Sequence, residues 1–487
     1  MQWVESRSEN FLSAPQGRGA AARAAMAVAA DGRFLGLRVA LTADLGAYLH
    51  HNTMTPPILA ASLVAGVYDI GTVEVTLTGV ATNKVPTGPY RGAGRPEGAY
   101  IAERMADLTA GRLGLDPVAV RRRNFIRPAD FPYKSALGDE IDFADYGLLL
   151  DRLCKRIDYD GTRLRHYDER SAGRLPGLGL AVFLEPTGRG LWESASVEVQ
   201  AGGALVARMG SSSHGQGHET AFAQVLADEL QVDPPDVTIT YGDSAEVPAG
   251  MGTYSSRSAM LGGSALLLAA RELAGRLCDR GAVLLGLPRS AVSLRAGAAV
   301  AGDGRTVSLA QIIAGLDAGR LREEFRVTSR FTLDVPLFAS GAFAVELEIA
   351  PDTGKVLIRR IAAVHDGGRI LNPLIAEGQV AGGALQGLGE ALTEEAAYDT
   401  DGQLLSGSFM SYGILGASDA PVVQSEFVET AVARTPVGAK GIGETGATGM
   451  PPPTANAVAD ALRQLGITDI QCHSARNGSG VISRTRS

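Results

Sequence analysis

Residues 438–453 read GAKGIGETGATGMPPP, and Gly441, Gly443 and Gly446 have the G-x-G-x-x-G spacing of a dinucleotide-binding turn. Such a turn needs a buried strand before it and a helix that begins within it. The preceding residues, TPVGAK, are not strand-like, and three prolines follow where the helix would already be running. We therefore reject that turn and predict a glycine-rich loop that carries one carboxylate, Glu444. We expect the next helix to have its N-cap at Thr454 and to end before residue 466, which is a glycine.

The composition is that of a globular protein. With 487 residues, and about 150 residues per domain, the chain is expected to form two to four domains. Apolar residues make up 45% and charged residues 20% of the chain. The 61 glycines indicate many tight loops with close backbone approach, and the net charge of −8 disfavours nucleic acid as a partner.

The spacing of the cysteines bears on metal binding, and the length of the apolar runs bears on whether the chain could cross a membrane. Cys154, Cys278 and Cys472 are scattered without metal-ligand spacing, so they predict neither a disulfide framework nor an iron–sulfur cluster. The longest apolar stretch, residues 259–270, is too short and too broken to span a bilayer, and no secretory segment is visible. We predict a cytoplasmic protein without a membrane span.

The hydropathy pattern predicts an α+β fold. A strand is predicted within residues 32–49, a helix over 99–114, and hairpins over 194–210 and 344–364. The basic run 121–123 is predicted to lie at the end of a helix, where cations are favoured. Residues from about 126 to 176 are charged and are predicted to be irregular, so we place a domain boundary there.

One theme recurs in the predicted elements: a strand, a glycine loop and then a helix. The Gly-Gln-Gly of residues 215–217 precedes an amphipathic helix, and residues 372–395 contain another such loop and helix. Because helix N-termini and successive N–H groups bind phosphate, several such loops together would form a cradle for a large anionic cofactor.

Five motifs, in this order, resemble the molybdenum-binding large subunits of the xanthine dehydrogenase / aldehyde oxidase family. They are PYRGAGRPEGAYIAERMAD, HGQGHETAFAQVLADEL, GTYSSRSAMLGG, GRILNPLIAEGQVAGGALQGLGEAL and VGAKGIGETGATGMPPPTANAVADAL. The resemblance runs from about residue 3 to about residue 465. It implies an α+β fold of two molybdenum-cofactor-binding domains, mixed sheets and helices with glycine-rich cofactor loops. The first would be residues 1–165, incomplete at its N-terminus, and the second residues 166–487.

The resemblance also implies roles for individual residues. Glu444 would be the catalytic carboxylate, Arg91 the arginine beside the molybdenum, and Gln216 a contact to the pterin. The metal would be held by the pterin dithiolene and not by protein ligands, and the cofactor would be molybdopterin cytosine dinucleotide. Further cofactor contacts implied are Gly92, Gly215, Gly217, Gly252, Thr253, Ser255, Ser256, Gln379, Lys440, Gly441 and Gly443.

Two departures from the family bear on partners and substrate. The chain starts downstream of the family's GGxFG-type loop, so we expect either a second polypeptide that supplies this portion or a truncated product. Ala93 stands where xanthine-oxidising members have an aromatic ring, and the YRCSF loop of carbon monoxide dehydrogenase is absent, which disfavours purines and carbon monoxide. The substrate pocket would include Ala93, Phe183 and Glu185, although an ordinary strand end explains the last two equally well.

Other charged and histidine residues have plainer interpretations. Arg91 and Arg95 could orient an oxyanion or pair with nearby glutamates, and we favour the site role for Arg91 and a structural role for Arg95. His214 and His218 are four apart and could bind a metal, but helix capping or local hydrogen bonds explain them better. We interpret residues 365–369, His-Asp-Gly-Gly-Arg, as a structural hydrogen-bonded corner.

The function implied is that of a molybdenum-dependent oxidoreductase subunit, active together with partner chains. It would hydroxylate an aldehyde or N-heteroaromatic C–H with oxygen from water and pass electrons to iron–sulfur and FAD subunits. The alternative is an inactive truncated fragment, or an assembly or interaction chain that keeps the fold without molybdenum. A companion chain that carries the GGxFG loop would favour the first interpretation.

Overall fold

The computed structural model describes residues 3–247 and 249–467, so Cys472 and the C-terminal tail lie outside the described residues. The helices, in chain order, are α1 (Arg7–Ser13), α2 (Thr55–Ser62), α3 (Arg95–Leu113), α4 (Pro117–Asn124), α5 (Tyr146–Ile157), α6 (Tyr159–Ser171), α7 (His218–Leu230), α8 (Gly263–Leu285), α9 (Leu309–Ile313), α10 (Ala318–Phe325), α11 (Pro373–Leu392), α12 (Thr445–Gly449) and α13 (Pro451–Leu462). The strands are β1 (Ala20–Val28), β2 (Phe34–Gly46), β3 (Val73–Ala81), β4 (Tyr133–Lys134), β5 (Glu140–Ile141), β6 (Leu175–Thr187), β7 (Trp192–Val199), β8 (Leu205–Met209), β9 (Val237–Thr240), β10 (Val292–Arg295), β11 (Ala298–Ala301), β12 (Thr306–Ser308), β13 (Arg326–Thr332), β14 (Leu337–Ile349), β15 (Val356–Asp366) and β16 (Val423–Val428). The α+β prediction is confirmed.

The first sheet has the order β1-β2-β3, with β1–β2 antiparallel and β2–β3 parallel. Alternate residues of β2, among them Leu37, Val39 and Leu41, are buried against α3 in one core cluster. The strand predicted within residues 32–49 and the helix predicted over 99–114 are therefore confirmed.

The second sheet has the order β16-β15-β14-β6 and is covered on both faces. The hairpin predicted over 344–364 is formed by β14 and β15. Helix α13 packs on one face, and its backbone approaches β6 closely at two glycines. A Cβ on Gly177 would lie 2.0 Å from the Ala457 carbonyl oxygen, and one on Gly179 would lie 1.9 Å from that of Pro453. This sheet carries the loops of the functional site at its ends.

The third sheet, β13-β7-β8-β9, is covered by α7 and α8. The hairpin predicted over 194–210 is formed by β7 and β8. The apolar stripe predicted after Gly-Gln-Gly is also confirmed, since Phe222, Leu226 and Leu230 of α7 are buried. Smaller sheets contain β10-β11-β12 and β4-β5.

Residues 126–176 are more regular than predicted. They contain α5 and α6, because Leu149, Leu150, Leu153 and Ile157 form a buried helical stripe beneath the charged residues. The core around α5 also contains residues of β2, β6 and β14, so segments from both sides of residue 165 share one core cluster. The domain boundary at residue 165 stays a prediction.

The basic run 121–123 lies in the last turn of α4, as predicted. Arg121, however, is fully buried and does more than end a helix. Its guanidinium pairs with Glu103 at 2.8 Å and donates to the Leu180 carbonyl at 3.0 Å. It therefore cross-links α4, α3 and β6 within the core.

The helix start predicted at Thr454 is wrong. Helix α13 begins at Pro451, and the Thr454 hydroxyl donates to the Met450 carbonyl at 2.9 Å inside the helix. The three prolines occupy its first turn, where their missing N–H groups are not needed. In addition, α12 begins directly after Glu444, although residues 436–440 before the glycine loop contain no strand. Gly466 has φ +74° and ends the turn that follows α13, as predicted.

Within the part of the chain that the structure describes, no helix combines the length and apolar character needed to cross a bilayer.

Candidate functional site

Five loops, each followed by a helix, converge on one cavity of about 430 Å³. The loops are residues 91–94, 214–217, 253–257, 367–372 and 439–444. The third leads into a π-helical turn, Ser258–Gly262, at the start of α8. The predicted site residues on the cavity wall are Arg91, Gln216, Thr253, Ser255, Ser256, Gln379, Lys440, Gly441, Gly443 and Glu444. The predicted contacts that adjoin the wall in sequence without lining it are Gly92, Gly215, Gly217 and Gly252.

Glu444 is held at the wall by hydrogen bonds to three residues. Its Oε1 accepts from the Gly92 N–H at 2.9 Å, and its Oε2 lies 3.3 Å from Arg95 Nη1. Its own N–H donates to Ser256 Oγ at 3.0 Å. The side chain keeps 14% exposure, so the carboxylate is fixed in orientation but still faces the cavity.

Arg91 links the first loop to the Glu444 loop and to α11. Its guanidinium donates to the Gly443 carbonyl at 2.6 and 2.9 Å and to Gln379 Oε1 at 2.9 Å. It also donates to Gln386 Oε1 at 3.1 Å. Burial lowers the pKa of this guanidinium. The side chain predicted to stand beside the metal is thus fixed by residues far from it in sequence.

Ser255 and Ser256 both have left-handed backbones, with φ +51° at each. Consecutive non-glycine residues in this region are strained and persist only where their surroundings enforce them. Gly441 leaves room for this turn, because a Cβ at that position would lie 1.7 Å from the Ser256 carbonyl oxygen. The Ser256 hydroxyl is thereby brought between two carboxyl groups, Glu444 and Glu185.

Arg95, for which the sequence favours a structural role, also contacts the candidate base. It is 2% exposed and donates to the Pro186 carbonyl at 2.6 and 2.9 Å and to Ser255 Oγ at 2.6 Å, besides its contact with Glu444. The pairings with neighbouring glutamates that were considered for it are not formed, since its carboxylate partner is Glu444. Nothing in the local sequence relates residue 95 to residue 444.

The three predicted substrate-pocket residues do not line the cavity. Phe183 packs in the core, with its ring centroid 6.2 Å from that of Phe343. Glu185 is fully buried behind Ser256. Ala93 has φ +46° and is 8% exposed in the turn after Arg91.

Several predicted cofactor contacts are engaged within the protein. Gln216 Oε1 accepts the His214 N–H, and Thr253 Oγ1 donates to the Ser212 carbonyl at 2.5 Å. Lys440 is 3% exposed, and its ammonium is 3.0 Å from Asp366 Oδ2, so it pairs within the protein although the residue lines the wall.

Within the described part of the chain, no group of three or more His, Cys, Asp or Glu side chains is placed to hold a metal ion. His218 starts α7, and burial lowers its pKa to about 4, so its ring is neutral at neutral pH. The predicted corner at residues 365–369 holds only for Asp366, which accepts from Lys440 and Thr430. His365 is buried among aromatic rings with no hydrogen bond to the described residues, and Arg369 lies at the cavity.

The wall suits a large anionic group such as the pterin cofactor that the motifs imply. Glu444 is the only carboxylate among the described residues that line the cavity, whereas Arg91 and Arg369 are cationic. No side chain caps α7, whose first residue, His218, lines the wall, and an uncapped helix N-terminus favours anions. His218 Nδ1 on the same wall is buried without a partner among the described residues. Cationic, N–H and hydroxyl donors therefore fit phosphate and pterin.

Comparison with known proteins agrees with this geometry. A family model described as a molybdopterin cofactor-binding domain matches residues 152–421, and a second model with the same description matches residues 1–125. The 6-hydroxypseudooxynicotine dehydrogenase complex subunit gamma of Paenarthrobacter nicotinovorans is 32% identical and aligns with 95% of this chain and 60% of its own length. The carbon monoxide dehydrogenase large chain of Hydrogenophaga pseudoflava is also 32% identical, over 96% of this chain and 61% of its own.

Among solved structures, quinoline 2-oxidoreductase from Pseudomonas putida 86 superposes with a TM-score of 0.89 at 31% identity. The superposition covers 97% of this chain and 62% of that chain. The chain thus spans about 60% of the length of the relatives that it matches.

Proposed function

The chain belongs to the molybdopterin cofactor-binding family of molybdenum hydroxylase large subunits, and from this premise we propose that it forms the catalytic molybdenum-cofactor part of such a hydroxylase. Its reaction would convert a substrate R–H and water into R–OH, two protons and two electrons. When bound, the molybdenum–pterin group would supply the two-electron redox chemistry of this step.

The observation that carries the proposal is the setting of Glu444. It is the one carboxylate among the described lining residues, and the Gly92 N–H and Arg95 fix its two oxygens. A fixed carboxylate at the wall of a partly desolvated cavity can accept a proton from water as its oxygen attacks the substrate carbon. We assign Glu444 this role of general base.

The remaining wall residues would hold the cofactor. Arg91, Gln379 and the glycine loop around Gly443 are connected by hydrogen bonds, and the loop of residues 253–257 (the serine loop) and the start of α7 also line the cavity. In this proposal the cofactor is molybdopterin cytosine dinucleotide, with the metal held by the pterin dithiolene.

The substrate class is an aldehyde or an N-heteroaromatic compound. The relative named for quinoline, which is an N-heteroaromatic, supports this class. Electrons would pass to iron–sulfur and FAD subunits. The printed names "subunit gamma" and "large chain" of two relatives support partner subunits. A cytoplasmic location is part of the same proposal.

The test combines Glu444→Gln with metal analysis of the chain purified with whatever co-purifies. We expect about one molybdenum per chain in both proteins, and loss of turnover on aldehydes and N-heterocycles in the variant only. Near-normal turnover of the variant would remove the general-base role. A native protein without molybdenum would instead favour the inactive assembly chain.

A further inference from the structure

Glu185 is a buried carboxyl group that the proposed chemistry does not yet use. It lies near the end of β6, is 0% exposed, and is separated from the cavity by Ser256. Its Oε1 accepts from the Ser256 hydroxyl at 2.7 Å, and its Oε2 is buried with no hydrogen-bond partner among the described residues. An ionised carboxylate with one oxygen left unpaired in the interior would be strongly disfavoured.

Ser256 connects this carboxyl group to the proposed base. Its Oγ accepts the Glu444 N–H at 3.0 Å and lies 3.3 Å from Glu444 Oε2. The same oxygen is 2.7 Å from Glu185 Oε1. Since the strained backbone at residue 256 fixes the position of this hydroxyl, the contact is built into the fold.

The charges around Glu185 leave it neutral. Burial, together with the nearby Glu444 carboxylate, raises its pKa to about 8, although Arg95, Arg91 and the Ser256 hydrogen bond act in the opposite direction. Arg95 lies in α3 and Arg91 in the loop before it, whereas Ser256 and Glu444 lie in the loops of residues 253–257 and 439–444. Two carboxyl groups so close cannot both ionise readily, so one holds a proton.

We propose that Glu185 is a positioning residue that stays uncharged and, through the Ser256 hydroxyl, keeps Glu444 ionised and oriented as the proton acceptor. This role rests on the function proposed above. A neutral Glu185 fills the interior and pairs with Ser256 without adding a second negative charge. An ionised Glu185 would repel Glu444 and compete with it for the charge of Arg95.

The expected consequence is an alkaline limb in the activity profile that belongs to Glu185. In the wild-type protein, kcat falls as pH rises through about 8, while KM changes little. Glu185→Ala lowers kcat about tenfold at neutral pH, because the Ser256 hydroxyl loses its partner. Glu185→Gln keeps the neutral hydrogen-bonding shape, recovers most of this loss, and abolishes the alkaline limb.

A second variant isolates the hydroxyl bridge. Ser256→Gly removes the hydroxyl and accepts φ +51° without strain, so the backbone of the loop is kept. We expect a fall of about tenfold in kcat and loss of the same alkaline limb, with molybdenum still bound. A limb that persists in Glu185→Gln, or in Ser256→Gly with normal molybdenum, would overturn the inference.

Infrared spectroscopy tests the neutral state of Glu185 without turnover. The protein, purified with whatever co-purifies, should show a protonated carboxyl band at pH 7 that fades as pH rises through about 8 and is absent in Glu185→Gln. Absence of this band from the wild-type protein would refute a neutral Glu185, whatever the activity. An active Glu444→Gln variant would refute the proposed function itself. If Glu444→Gln is inactive but Glu185→Gln keeps the alkaline limb of the wild-type protein, only the role of Glu185 is refuted.

Discussion

Replacement of Arg95 by lysine separates a functional from a purely structural role for this buried side chain. The guanidinium donates to the Pro186 carbonyl through Nε and Nη2, to the Gly92 carbonyl through Nη1, and to Ser255 Oγ and Glu444 Oε2. A lysine ammonium keeps the charge but places its donors at one point. It cannot reach acceptors that lie along different edges of the guanidinium group.

The magnitude follows from the acceptors left unpaired. If about two of them lose their donor at about 1–3 kcal/mol each, Arg95→Lys destabilises the fold by about 2–6 kcal/mol. Looser Glu444 and Ser255 should also lower kcat about 10- to 100-fold in protein that remains folded and loaded with molybdenum. Urea unfolding and turnover per bound molybdenum measure the two effects separately.

Arg121→Lys is the matched control. Arg121 is as buried as Arg95 and pairs with Glu103, but its hydrogen-bond partners do not line the cavity, whereas Arg95 contacts the lining residues Ser255 and Glu444. This variant should lose comparable stability and keep its turnover per bound molybdenum. Equal turnover losses in the two variants, or none in Arg95→Lys, would refute a functional role for Arg95.

Two further predictions concern the glycine loop and the pH dependence of stability. Gly441→Ala should abolish most molybdenum binding, measured as metal per chain, because its Cβ would lie 1.7 Å from the Ser256 carbonyl oxygen; the control Gly378→Ala, where a Cβ meets nothing within 4 Å, should bind normally. For Glu185, the folded-state pKa of about 8 lies above its ordinary value of 4.5, so folding retains a proton between these values and stability falls as pH rises through them. Relative to Glu185→Gln, the wild-type free energy of unfolding should therefore decrease by about 1.4 kcal/mol per pH unit in this window, measured by urea unfolding; a constant difference between the two proteins would contradict a raised pKa.

The elements that could be predicted from the sequence are those whose pattern is local. The hairpin over 194–210 and the helix after Gly-Gln-Gly follow from alternation and helical spacing within a few residues, and the structure contains both. Helix α5 carries the same kind of signal at Leu149, Leu150 and Leu153. The charged residues between these leucines obscure their helical spacing, which is why the sequence predicts an irregular segment here.

The helix start at Thr454 failed for a related reason. An N-cap residue was preferred over prolines, although proline suits the first turn of a helix. Helix α12 begins directly after Glu444, and α13 follows it at Pro451. The glycine loop and Glu444 lie on the wall of the same cavity.

The network around Glu444 could not be predicted from local pattern. Arg95 and Glu444 are 349 residues apart in sequence, and Ser256 and Glu185 are 71 apart. Each appears ordinary in its own segment: an arginine before a proline, a serine in a loop, a glutamate at a strand end. Glu185 and Glu444 meet at the Ser256 hydroxyl only because the end of β6 lies beside the loop of residues 253–257.

This arrangement explains why strain and buried charge are concentrated at one point. The left-handed turn at Ser255 and Ser256 and the protonated Glu185 each cost stability in isolation. Both act on Glu444, one by placing a hydroxyl beside its N–H and the other by leaving it the only negative charge of the pair. If these costs serve the orientation of the base, Ser256→Gly should relieve the backbone strain and still lower kcat, because Glu444 and Glu185 lose their shared hydroxyl partner. A variant that kept its kcat would show that the strained turn serves only the backbone.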